Sequence, residues 1–143
     1  MRNGSVITAA VAGVLAFMSA MPALADVRIR VDKSSQTMTV AVDGWVQHQW
    51  AVSTAKRGYY TPSGSWRPFR LEPNWYSRKY DNAPMPSSIF FTGGYAIHGT
   101  VHVSQLGRPA SRGCIRLHPA NARELFALVR QYGMKNTRIT ITN

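Results

Sequence analysis

"YAIHGT", Tyr95–Thr100, and "LGRPASRGCIRLHP", Leu106–Pro119, place a histidine at the end of one apolar run and the only cysteine of the chain at the start of another. Read as strands, both runs end at a common Gly-rich loop, so His98 and Cys114 meet on a rigid scaffold although they are distant in sequence. A histidine within reach of a thiol takes its proton and prepares the sulfur for nucleophilic attack. Arg112 and Arg116 flank the thiol and favour its ionised form. Gly113 lets a substrate backbone approach closely and leaves main-chain N–H groups to face a developing oxyanion. A single unpaired cysteine is otherwise a small buried hydrophobe. A bare Cys/His pair has little specificity, so the surrounding chain must decide.

Downstream of the cysteine, Pro119 suits a first helical position, and "PANARELFALVRQYG" ends at Gly133, a residue suited to a helix stop. Ala122, Leu125, Phe126 and Val129 recur at helical spacing, and "TRITIT" closes the chain as a strand. Upstream, Val27, Ile29 and Val31 alternate with polar residues, and Met38, Val40 and Val42 repeat the period. Asp43-Gly44 joins that run to "WVQHQWAV" as a hairpin turn. The middle is punctuated by Gly and Pro. It reads as loops around a short strand near Trp66–Leu71, then a long irregular excursion from Glu72 to Ser88 that is able to cover a site. "IFF" and "YAIH" follow as strands. The fold class is mainly β, with one late helix after the cysteine loop.

Residues 1–25 read differently. Arg2, an apolar run from Val6 to Met18, Pro22 and "ALA" at Ala23–Ala25 have the order of a secretory leader cleaved after Ala25. An uncleaved membrane anchor is the competing reading, weakened by Gly13, Ser19 and Pro22. The domain proper is then residues 26–143, long enough for one modest core. The formal net charge is +11. Such a charge points to polyanionic surroundings, the periplasm or cell envelope, or to an anionic ligand. There is no zinc-finger spacing, basic helix or RNP-like strand, so no nucleic acid is expected as partner.

The strings quoted above, with "VSTAKRGYYTPSG" and "APMPSSIFFTGGYAIHGT" upstream, resemble the L,D-transpeptidase catalytic domain of the YkuD type. That family's pattern is a His-Gly, a spacer, then Ser-His-Gly-Cys, an apolar residue and Arg or Asn. The resemblance covers nearly all of residues 26–143 and implies an L,D-transpeptidase-type β-sandwich. It also implies that Cys114 is the nucleophile, His98 the base, and the Gly99 carbonyl the group that orients the imidazole. Ser111 would brace the loop, the Gly113 and Cys114 amides would form the oxyanion hole, and Arg116 would hold the loop or a substrate carboxylate. Arg112 stands where the family commonly has His, so His98 must act alone while Arg112 keeps a donor and a fixed charge. The implied reaction breaks the bond between the diamino acid and D-alanine of a peptidoglycan stem peptide, through a Cys114 thioester. An amine of a second stem then gives a 3–3 cross-link; water in its place gives an L,D-carboxypeptidase, and an envelope protein is a further possible acceptor. No cofactor or metal is implied, and the oligomeric state is open.

Three rivals compete. His98, His102, Cys114 and His118 are of acceptable type for zinc, but no Glu follows His98 as a base and a strand does not align i with i+4. Another class of thiol hydrolase acting on wall peptides places its Cys before its His, the reverse of the order here. A non-catalytic envelope-binding module would use the basic face with Tyr59, Tyr60, Trp66, Trp75 and Tyr76 as sugar platforms. His48 is read as a solvated surface residue.

Overall fold

The computed structural model describes residue 13 and residues 26–143. The leader-like segment, residues 1–25, thus lies outside the described residues apart from Gly13.

Among the described residues nine strands and one α-helix follow in order: β1 (Val27–Asp32), β2 (Thr37–Val42), β3 (Trp45–Ala51), β4 (Gly64–Trp66), β5 (Arg70–Ser77), β6 (Ala83–Thr92), β7 (Tyr95–Gly99), β8 (Ile115–Leu117), α1 (Pro119–Tyr132) and β9 (Thr137–Thr142). They form a five-stranded sheet ordered β3-β2-β1-β9-β4 and a four-stranded sheet ordered β5-β6-β7-β8. Alternation builds the first sheet. Val27, Ile29 and Val31 point inward while Arg28 and Arg30 point to solvent, and Ile139 and Ile141 of the parallel neighbour β9 do the same. Asp43 and Gly44 both have positive φ, the geometry expected of the β2–β3 turn.

Helix α1 is the expected one. His118 caps it through Nδ1, which accepts the Ala120 N–H at 3.1 Å, and Pro119 opens its first turn. Its buried face is Ala122, Leu125, Phe126 and Val129. That face shares one core with Val27, Ile29, Met38 and Val40 of the first sheet and Ile89, Ile97, Ile115 and Leu117 of the second. The second sheet therefore has a core face and an outer face. On the outer face a smaller cluster of Met85, Phe90 and Ala96 packs with Trp75 and Cys114.

The middle of the chain differs from the sequence reading. The expected strand near Trp66–Leu71 is divided: β4 ends at Trp66, and β5 starts at Arg70 in the other sheet. The expected irregular excursion Glu72–Ser88 is mostly an antiparallel hairpin, β5 with β6, turning through a short 3₁₀ segment Arg78–Tyr80 and then Asp81 and Asn82, both at positive φ. Its prolines are compatible with strands because of where they sit. Pro73 lies on the edge strand, and β7 pairs with β6 only from Ile89 onward, so Pro84 and Pro86 lie beyond its ladder. His48 is also more engaged than a solvated residue. Its Nε2 lies 3.1 Å from Glu124 of α1 and its ring stacks on Trp50.

Candidate active site

Strands β7 and β8 run parallel, with Ile97 opposite Ile115 and His98 opposite Arg116. Because side chains alternate, Ile97, Ile115 and Leu117 enter the core, whereas His98, Arg116 and Cys114 share the outer face. Register thus puts the histidine and the cysteine on one surface, diagonal to each other across adjacent strands. Both line a cavity of about 750 Å³. The tip of the β5–β6 hairpin forms one wall (Arg78, Lys79, Tyr80), and the Ser111–Cys114 loop forms another.

His98 is 6% exposed. Its Nδ1 lies 2.7 Å from the carbonyl oxygen of Gly99, which selects the tautomer with the proton on Nδ1 and leaves the Nε2 lone pair unprotonated. Burial, offset in part by that hydrogen bond and aided by the Arg116 charge, pushes the imidazole down to about 4, so it is neutral at physiological pH. A neutral buried imidazole with a fixed tautomer is a proton acceptor, not a cationic partner.

Cys114 has the opposite problem. Although part of its surface is reachable from the cavity, protein atoms crowd the sulfur, and burial pushes its thiol up; the Ala96 backbone, Arg116 and Lys79 pull the other way without prevailing. The sequence reading, in which His98 and the flanking arginines together lower the thiol pKa, differs here because burial outweighs the nearby charges. The Sγ lies 3.8 Å from the Gly94 carbonyl, and among the described residues no hydrogen bond joins it to His98.

The loop before Cys114 is held by polar contacts on every side. Ser111 Oγ donates to the Cys114 carbonyl at 2.6 Å and accepts the Gly113 N–H at 3.0 Å. Thr61 Oγ1 donates to the Gly113 carbonyl at 2.7 Å and accepts the Ala55 N–H at 3.0 Å. The Ser111 and Ala110 amides both reach the Thr54 carbonyl. Gly113 has φ +141, and a Cβ there would stand 2.9 Å from Tyr95 Cε1 and 3.0 Å from the Tyr60 carbonyl oxygen. Only glycine fits.

Two expected roles change on these contacts. The Gly113 amide is engaged by Ser111, so of the two amides expected to face an oxyanion only that of Cys114 makes no hydrogen bond among the described residues. Arg116 Nη1 donates to Gln105 Oε1 at 3.0 Å and approaches the Ala110 carbonyl at 3.4 Å, so it ties the loop down while still lining the cavity. Arg112 is exposed, and its guanidinium lies 4.8 Å from the ring centroid of Tyr80 on the opposite wall. His102 lines the cavity and His118 is committed to its cap; among the described residues no group of three metal-ligating side chains is close enough to hold an ion. Of the proposed sugar platforms, Trp66 and Trp75 pack against apolar clusters, whereas Tyr59, Tyr60 and Tyr76 are exposed.

Thr61, Lys79, Tyr80, Tyr95 and Gln105 are site or loop residues that the sequence reading did not single out. Their positions come from sheet pairing and hairpin length, and they have no local spacing signature. Asp81-Asn82 is the signal that was available: two residues tolerant of positive φ between apolar runs mark a hairpin whose tip must land somewhere.

The sequence profile of the YkuD L,D-transpeptidase catalytic domain matches residues 26–141. The chain belongs to that family. A Bacillus subtilis relative named "Putative L,D-transpeptidase YqjB" is 29% identical over 135 positions, covering 85% of this chain and 74% of the relative. Among solved structures, an L,D-transpeptidase from Mycobacterium smegmatis superposes with a TM-score of 0.75 at 25% identity, covering 83% of this chain and 59% of the other. One from Stackebrandtia nassauensis gives 0.73 at 25% identity, covering 91% and 62%. The chain therefore spans about three fifths of those solved chains. A Mycobacterium tuberculosis L,D-transpeptidase 3 described in complex with a faropenem-derived adduct shares the fold, at TM-score 0.73 and 20% identity, covering 83% of this chain and 61% of the other.

Proposed function

We propose that this protein is an exported cysteine L,D-transpeptidase of the periplasm or cell envelope that acts on peptidoglycan stem peptides and joins two of them by a 3–3 cross-link. The observation that carries the reading is the juxtaposition of His98 and Cys114 on one face of the β7–β8 pair, at the floor of a cavity, with His98 neutral and its Nδ1 anchored on Gly99. The leader-like order of residues 1–25 supports export.

In this mechanism Cys114 Sγ attacks the carbonyl carbon of the diamino acid while His98 Nε2 takes the thiol proton, so charge forms only during attack. The Cys114 amide donates to the oxyanion. Collapse breaks the amide bond, His98 returns the proton to the departing D-alanine nitrogen, and a thioester remains. An amine of a second stem attacks that thioester, His98 accepts its proton, and the Cys114 sulfur leaves and is reprotonated. The hairpin wall over the cavity favours an amine acceptor over bulk water by restricting access to the thioester.

The test is incubation of residues 26–143 with disaccharide-tetrapeptides and mass analysis of the products. The expected products are D-alanine, a transient Cys114 adduct and dimers joined through the diamino acid. A β-lactam of the penem or carbapenem class should acylate Cys114, as the adduct in the Mycobacterium tuberculosis structure motivates. Absence of both D-alanine and adduct across several stem types refutes the assignment; tripeptide without dimers makes it a carboxypeptidase.

A further inference from the structure

The cavity wall carries more positive charge than the reaction as described uses. Lys56, Arg78, Lys79 and Arg112 line it, and among the described residues none forms an ion pair. Asp81 is the single acid on the cavity lining. The Tyr80 ring centroid is 5.4 Å from Lys79 Nζ and 4.8 Å from the Arg112 guanidinium. Lys79 is also close enough to bear electrostatically on the Cys114 sulfur. A guanidinium resting on an aromatic face keeps its N–H edges in the ring-parallel plane, free for a planar bidentate acceptor. Arg112 is two residues from the nucleophile in sequence and Tyr80 comes from the hairpin tip, so the pair sets a guanidinium over an aromatic ring on the lining of the cavity that holds Cys114.

We propose that Arg112, seated on Tyr80 and flanked by Lys79, is a carboxylate-binding subsite that selects acyl donors with a free carboxylate next to the amide to be broken. This rests on the reading of Cys114 as the acyl-accepting nucleophile. Two carboxylates have the required chemistry: that of the departing residue and the side-chain carboxylate of the diamino acid. A bidentate charge-assisted pair explains why this chain carries Arg at position 112, since an ammonium or imidazole there would lose the fork geometry.

Binding separates the subsite from turnover. Cys114→Ala protein is titrated calorimetrically with three tetrapeptide donors: the free acid, its C-terminal carboxamide, and the donor amidated on the diamino-acid side chain. One amide should bind about tenfold more weakly than the free acid, and the weaker one identifies the carboxylate that is read. Adding Arg112→Gln should bring all three donors to similar affinity, Arg112→Lys should restore part of the preference, and Tyr80→Leu should reduce it. In the protein with Cys114 intact, Arg112→Gln should raise KM for the preferred donor with kcat little changed. Equal binding of all three donors, undetectable binding of all three, or an equal loss on all three in Arg112→Gln, overturns the proposal. Preference in binding without D-alanine release from the intact protein would refute the proposed function and leave the subsite standing.

Discussion

His98 hydrogen-bonds to the carbonyl of its own chain neighbour, Gly99, with Nδ1 2.7 Å from the oxygen. Gly99 ends β7 and is packed so closely that a Cβ there would stand 3.2 Å from both Pro119 Cα and Pro86 Cγ. With burial pushing His98 down to about 4, the base is unprotonated well below neutrality. The kcat/KM profile should show an acid limb near pH 4 and stay flat through pH 7. An acid limb between pH 6 and 7 would mean that His98 is not desolvated in the working enzyme.

The thiol should resist alkylation at rest. Burial pushes the Cys114 thiol up from its ordinary value, so its thiolate fraction at neutral pH is smaller than in the unfolded chain. Iodoacetamide should react more slowly with native protein near neutrality, and the rate should rise to a midpoint above that of the denatured control. A midpoint below the control, obtained by mass spectrometry of Cys114 adducts across pH, would restore the resting-thiolate picture.

Gly113→Ala tests the loop. The positive φ and the approach to Tyr95 Cε1 and the Tyr60 backbone leave no room for a methyl group, so the loop must move. A stability loss of about 2 kcal/mol or more is expected, with activity falling further than stability because Cys114 moves with the loop. Thermal melts and turnover on the same preparation separate the two effects. Unchanged melting and activity would mean the loop has another resting geometry.

The parts of this fold that follow from local rules are legible in the sequence itself. Alternation in β1 and β2, the Asp43-Gly44 turn, and the Pro119–Gly133 helix each have a local cause, and the structure contains them. The Glu72–Ser88 segment was not legible because three prolines mask its strands, although proline is excluded only where a neighbouring strand needs its N–H. At the site, Cys114 and His98 stood out by type and spacing, and the β7–β8 register explains their meeting. The Gly113 amide is committed to Ser111 only two residues away, but the loop that makes this contact is pinned by Thr61, and the thiol is buried beside Met85, Phe90 and Ala96, contacts that close across long sequence separations.

Arg116→Met keeps much of the apolar stem but removes the bonds to Gln105 and Ala110. Activity should fall by about 10- to 100-fold, with a stability loss of about 1–2 kcal/mol. Arg116→Lys should recover part of the stability, since an ammonium still reaches one acceptor. A loss confined to KM with unchanged melting would show that Arg116 serves substrate and not the loop.

The buried imidazole also leaves a signature in folding. Its pKa is about 4 in the folded chain and 6.5 in the unfolded reference, so between those values the unfolded state binds the proton first. Stability therefore falls as pH drops from 6.5 toward 4 and does not change further from this group below that. The depth of the fall is about 3 kcal/mol for a shift of this size in a buried group. His98→Gln replaces the titrating ring with a neutral amide. Its unfolding free energy, measured by urea denaturation from pH 7.5 to 3.5, should start lower than that of the parent because a packed ring is lost. The gap between the two proteins should then narrow as the pH falls through this window, since only the parent carries the His98 dependence. Carboxylates titrating in the same range affect both proteins alike and cancel in the comparison. Two curves that stay parallel across the window would show that His98 is protonated as easily in the folded chain as in the unfolded one, and with that the neutral-base mechanism would fail.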